Sequence, residues 1–293
     1  MPSVKDLRER IRSLKNTQQI TKAMKQVAAA KIRRAEQARK EARPYADTLT
    51  EMLRDLMAAV STVDHPFMKP GNAGAPSGVI LMTADKGLAG AFNSNVIRAG
   101  ELYLRDHKDV AWYTVGVKAR NAVRRMGNTD RPSWAINVPS KLDVAREVAH
   151  TVTEDFVNGK ISDITLISSK LISMMSQKPE VRQLVPITPD DLRDAGDAAP
   201  TDDKVRGAVE FAPSPEFVLS RLLPKYLEFT IFSAILETDA AFFAAQLLAM
   251  NNATENAGKL IDELTIQMNN ARQAAITKEL LEIVGGAEAL VKG

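Results

Sequence analysis

Apolar residues at alternating steps of three and four dominate the last quarter of the chain: Leu219, Leu222, Tyr226, Phe229, Leu236, Ala240, Phe243, Leu247, Met250, Ala257, Ile261, Leu264, Met268, Ala271 and Ala275. Only Ser233 and Thr254 break the rule. About eight heptads without a proline after Pro224 predict a coiled-coil helix over 216–293, far longer than an ordinary globular helix. At 1.5 Å per residue, some 70 residues span roughly 105 Å.

The chain also begins with a helical pattern. No glycine occurs from Val4 to Met57, and Pro44 is the only proline there. A narrow stripe of Val4, Leu7, Ile11, Leu14, Ala28, Ala35, Ala38, Ala42, Tyr45, Leu49, Met52 and Leu56 predicts one long helix over 1–58, with Pro44 as a candidate kink. Stripes at opposite ends of a chain can cover each other by running antiparallel. The first is shorter, so the last turns of the second are expected to project unpaired.

Between the two helices, Val79 to Thr83, Val110 to Val115, Ser133 to Val138 and Ile164 to Ser168 are short apolar or β-branched runs separated by helical stretches. This alternation predicts an open, largely parallel, Rossmann-like α/β domain over 77–187. A polar connector over 188–215 follows, rich in Asp, Gly and Pro. The predicted fold class is therefore α/β with dominant helix: a two-helix antiparallel coiled coil plus a central α/β domain.

Charge adds a direction to this picture. Residues 1–43 hold thirteen Lys/Arg against Asp6, Glu9, Glu36 and Glu41, a surplus of nine, so the rest of the chain is net −6 within a total of +3. Such a basic stripe implies an acidic partner. Those four acids, and the lack of an apolar core, read the N-terminus as mature protein rather than a targeting signal. No uninterrupted apolar run approaches the roughly 18 residues of a membrane span.

Enzyme chemistry is hard to place on this sequence. Cysteine is absent, which excludes disulfides, thiolate metal sites and cysteine nucleophiles. His65, His107 and His150 share no ligand spacing. The turn Asp85-Lys86-Gly87-Leu88-Ala89-Gly90 after the first strand invites a phosphate-loop reading, yet neither G-x-G-x-x-G nor G-x-x-x-x-G-K-S/T occurs. Neither a cofactor nor a catalytic residue is predicted.

Two terminal strings are more specific. Residues 11–31, IRSLKNTQQITKAMKQVAAAK, and 269–287, NNARQAAITKELLEIVGGA, closely resemble the gamma subunits of F-type ATP synthases, and Asp85-Lys86-Gly87-Leu88 through Asn93 is similar to that family's first strand and turn. The resemblance spans the chain. It departs at Ala89, where many members have cysteine, and at Gln246 and Asn251, where the family often has Arg and Lys.

The resemblance implies a central rotating stalk without a catalytic site, passing torque between a membrane rotor ring and a catalytic head of alpha and beta subunits. The epsilon subunit would accompany the α/β domain at the ring, on the cytoplasmic face of a bacterial inner membrane. Head contacts would fall on Met24, Arg272, Gln273 and Thr277, with Ile276, Leu280 and Ile283 in an apolar sleeve. From the residues alone, Met24 also fits an ordinary core methionine and the C-terminal turns a frayed tail.

Two other classes fit parts of the pattern. A nucleic-acid-binding arm would use the basic stripe, but Tyr45 is the only aromatic residue in the first sixty-six, leaving nothing for bases to stack on, and nucleic acid is not predicted as a partner. A nucleotide-binding domain carrying an oligomerisation helix would need the missing phosphate-loop motif, so no small-molecule substrate is predicted.

Overall fold

The computed structural model describes residues 3–59, 65–107, 109–127, 132–188 and 214–292. Helix α1 runs over Val4–Ala59 and α5 over Pro215–Lys292. Between them lie β1 Ser77–Met82, α2 Phe92–Asp106, β2 Val110–Val115, α3 Val117–Arg125, β3 Ser133–Trp134, α4 Lys141–Val157, β4 Ile164–Ser173 and β5 Ser176–Val185. Most of the predicted polar connector, 189–213, lies outside the described residues.

Each long helix has a built start. Ser3 Oγ accepts from the Asp6 backbone N–H while the Asp6 carboxylate accepts from Ser3 N–H, a reciprocal capping box. Ser214 Oγ accepts from Phe217 N–H, and Pro215 sits where a helix can spare its donor. Pro44 and Pro224 both lie inside their helices.

The chain divides into two compact units, one formed by Met1–Ala28 with Gln246–Gly293, the other by Ala29–Ala245. In the first unit the two helices run antiparallel, as the cross-pairs Gln18 to Thr254, Thr21 to Thr254 and Lys25 to Asn251 require. Its seam is thin: Leu7, Ile11, Thr21, Ala28, Met250 and Ala257 are buried.

The second unit is built on a five-stranded sheet of order β3-β2-β1-β4-β5. The first four strands are parallel and β5 is antiparallel to β4. Successive side chains on a strand point to opposite faces. Val79, Leu81 and Trp112 accordingly join α2 and α3 on one face through Val96, Ala119 and Val123. Ile80, Met82, Ala111 and Tyr113 face the other way, onto Val148 and Val152 of α4, Leu53 and Leu56 of α1, and Leu223 and Ile231 of α5.

Several expectations need correcting. Strand β5 is not among the four predicted strands, because Ser176-Gln177-Lys178-Pro179-Glu180 is polar and holds a proline. Both traits suit an edge strand, whose outer groups face solvent. Strand β3 stops at Trp134 rather than Val138. On α1, Tyr45 and Met52 are exposed while Leu53 shares the buried face with Leu49 and Leu56. Finally, α5 holds a stretch long and apolar enough by composition to cross a membrane, which a count of uninterrupted apolar runs misses. Half of that stretch is buried within the chain, as in a core helix.

Candidate partner interface

The surface of the first unit is best understood from where its seam ends. Thr254 Oγ1 lies 2.8 Å from Thr21 Oγ1 and donates to Met250 O at 2.7 Å. Gln18 Nε2 reaches Thr254 O at 3.4 Å, and Lys25 Nζ donates to Asn251 Oδ1 at 2.5 Å. Extrapolated along this antiparallel register, the first turn of α1 lies opposite Arg272. From Arg272 to Gly285 every residue of α5 is exposed.

Those uncovered turns carry large apolar side chains among their charged ones. Ile276, Leu280 and Ile283 are 50%, 58% and 67% exposed, and Leu281 and Val284 stand out beside them. Arg272 and Gln273 share the exposed stretch, and Thr277 Oγ1 donates back to Gln273 O at 3.0 Å. An apolar helix end that its own chain leaves bare points to cover from another chain.

Met24 is half-buried, at the edge of the seam. It lies between Thr21 and Ala28, both buried in the seam. Ile20 and Val27, 60% and 54% exposed, sit off the seam and with Met24 form a short apolar strip toward solvent. Sequence reasoning missed this strip because Leu7-Ile11-Leu14 continues through polar Gln18 and Thr21 rather than through Ile20. The hydrogen-bonded partner Thr254 was the available signal, since it breaks the α5 stripe at the matching height.

In the second unit, the turn that invites a phosphate-loop reading is instead closed by its own side chains. Asp85 accepts from Val117 N–H at 2.9 Å, Asn137 N–H at 2.8 Å and Ile136 N–H at 3.3 Å, so a carboxylate of the chain takes the place an anion would have at the start of α3. Asn93 ties the loop across itself, accepting from Ala84 N–H and donating to Lys86 O, both at 3.0 Å. Leu88 adopts a positive φ of 62° within it.

The histidines are engaged separately. His65 Nδ1 caps a short 3-10 turn by accepting from Phe67 N–H, and burial holds its pKa below the usual value. His107 stacks on Tyr103 with ring centroids 3.8 Å apart, and His150 lies 3.8 Å from Glu154. Among the described residues no group of three His, Asp or Glu could hold a metal ion.

A family model described as ATP synthase matches residues 3–290. The gamma chain of the Heliobacterium modesticaldum ATP synthase is 41% identical over 291 residues, covering 99% of this chain and all of that one. This chain belongs to the ATP synthase gamma chain family. The gamma chain of Pelotomaculum thermopropionicum is 43% identical and that of Phenylobacterium zucineum 42%, each over 99% of this chain and the whole of the relative.

Solved structures carry the same fold at lower identity. A chain in the rotor of the Euglena gracilis mitochondrial ATP synthase superposes with a TM-score of 0.65 at 20% identity, covering 93% of this chain and 98% of that one. One from the central stalk and c-ring of the Tetrahymena thermophila enzyme gives 0.58 at 24%, covering 80% and 99%. Asn251 links the two helices of the first unit. It accepts from Lys25 and donates to Glu255 at 2.7 Å, a bond across the seam and one along α5.

Proposed function

We propose that this chain is the central rotating stalk of a proton-translocating ATP synthase, carrying torque between a membrane rotor ring and an alpha/beta catalytic head. As a gamma chain it is a non-catalytic subunit of that membrane-associated complex. The observation that carries the reading is the bare apolar end of α5, which begins where α1 runs out and is too apolar to be a finished surface.

Ile276, Leu280 and Ile283 would sit in a sleeve of the head, Arg272, Gln273 and Thr277 would make polar contacts beside it, and Met24 would meet a charged loop of a beta subunit. The basic surplus of residues 1–43 suits acidic loops there. The α/β domain would rest, with an epsilon subunit, on the rotor ring at the cytoplasmic face of a bacterial inner membrane.

The test is the double substitution Leu280→Asp with Ile283→Asp. Both side chains are exposed, so the isolated chain should keep its helicity and melting temperature. Assembly with alpha and beta subunits should be lost. Undiminished assembly would overturn the sleeve.

A further inference from the structure

Helix α5 changes character along its length. Over 257–271 one stripe of it is covered, but over 231–245 none of its residues is exposed. Ile235, Leu236, Thr238, Ala240, Ala241 and Phe242 are all buried, and at about 100° per residue they point round the whole circumference. The wall includes Ala84 and Ala89 from the loop after β1 and Phe92 at the start of α2. This collar lies wholly within the unit that contains the sheet.

A collar of this kind resists some motions better than others. Hydrophobic burial is non-directional, and small side chains such as Ala240, Ala241, Ala244 and Ala245 raise only shallow ridges on a helix. Such packing opposes separation more than it opposes turning about the helix axis. Directional bonds at the rim supply what it lacks.

Two carboxylates of α5 make those bonds. Asp239 Oδ2 is paired with Lys141 Nζ at the first residue of α4. Glu237 Oε1 accepts from the Leu171 backbone N–H of β4 at 3.2 Å and lies 3.7 Å from Arg39 Nη1 of α1. Residues two apart on a helix point about 200° apart, so the links leave α5 on nearly opposite sides. Tethers so placed form a couple that opposes roll in either direction. Nearer the start of α5, Arg146 of α4 holds Glu228 at 2.8 Å on the same side as Asp239.

We propose that Glu237 and Asp239 are paired torsional keys, positioning residues that stop α5 from turning about its own axis inside the α/β collar, so that rotation of the α/β body reaches the rest of the helix. The proposal rests on the rotating-stalk reading. It concerns where torque enters the shaft, not how the shaft meets its head.

The test uses the assembled complex with its head immobilised and stalled and a probe on the α/β body. Asp239→Asn with Glu237→Gln should broaden the angular fluctuation of the probe severalfold while ATP hydrolysis stays near that of the unsubstituted complex. Either single change should broaden it less, and Lys141→Asp with Asp239→Lys should narrow it relative to Asp239→Asn. An unaltered width in the double variant would overturn the keys. So would failure of both single variants to assemble, because the carboxylates would then serve folding alone. If the unsubstituted complex hydrolyses ATP without turning the probe, the rotating-stalk reading fails instead.

Discussion

Asp85 accepts a 2.9 Å hydrogen bond from the backbone N–H of Val117, the first residue of α3. The same carboxylate takes the N–H groups of Ile136 and Asn137, so one side chain at the end of β1 fixes two other segments. Asp85→Ala leaves these donors without their acceptor, at a cost of at least about 2 kcal/mol. Asp85→Asn keeps one acceptor oxygen and should cost less. Urea denaturation of the isolated chain measures both, and equal stabilities would contradict the assignment.

Gly116, next to Val117, has a φ of +97°, and a Cβ there would meet Thr83 O at 2.1 Å. Gly90 also has a positive φ, +57°, but opens on free space. Gly90→Ala should cost about 1–2 kcal/mol from backbone conformation alone. Gly116→Ala adds a clash with backbone that cannot move cheaply, and its product should fail to fold or melt far below the Gly90 variant. Similar melting temperatures would refute the contact.

The Thr21 and Thr254 hydroxyls form a polar rung across the seam. Thr21→Val or Thr254→Val alone removes one hydroxyl of the rung and should cost about 1 kcal/mol, whereas the double change should cost less than the sum of the two. A double-mutant cycle on the isolated chain reads the difference. Strict additivity would mean that the two hydroxyls are independent.

Glu237 and Glu228 should respond to pH in opposite senses. Burial pushes the Glu237 carboxyl above its usual range, more than the Leu171 N–H and Arg39 hold it down. The folded chain therefore binds this proton more readily than the unfolded one, and the stability it contributes is present below the ordinary carboxyl range and falls as pH rises through the raised value. Burial also pushes Glu228 up, but the hydrogen bonds and charges of Lys225 and Arg146 outweigh it, so its pKa lies below 4.5. Its stabilisation is present above that value and is lost as pH falls through the lowered pKa. Relative to wild type, Glu237→Gln should lose ground on acidification and Glu228→Gln should gain it. Urea midpoints measured across the acidic range would contradict this if both variants moved the same way.

Met24→Lys should leave the melting temperature of the isolated chain nearly unchanged, because a half-buried side chain at the seam's edge can carry its ammonium to water. In the assembled complex the added charge should impair ATP-driven proton pumping. Loss of folding would place Met24 in the core, and normal pumping would remove it from the interface.

Much of this architecture was legible in the residues. The three-four stripe of α5 marks its covered side from Met250 through Ala271, whereas nearer the start of the helix Leu223, Leu227, Ile231 and Ile235, which lie off the stripe, are buried because the sheet body and not a single helix covers them. The alternation of β-branched runs with helical stretches gave the parallel strands. What stayed hidden depended on partners distant in sequence. β5 is a strand because β4 lies beside it, not because Lys178-Pro179-Glu180 favours one. Asp85 looked like part of a phosphate loop until Val117, Ile136 and Asn137 converged on it. Ile20 and Val27 face away from the seam, since the register is set by Thr254 on the other helix. The bare tail from Arg272 onward followed from the unequal lengths of the helices.

The central claim is that this chain turns within its complex. The direct measurement fixes the alpha/beta head to a surface, attaches a probe to an exposed residue of the α/β body, and supplies ATP. The account predicts stepwise rotation of the probe in one direction, at a rate that follows ATP hydrolysis. Steady hydrolysis by the same complexes with a motionless probe would contradict it.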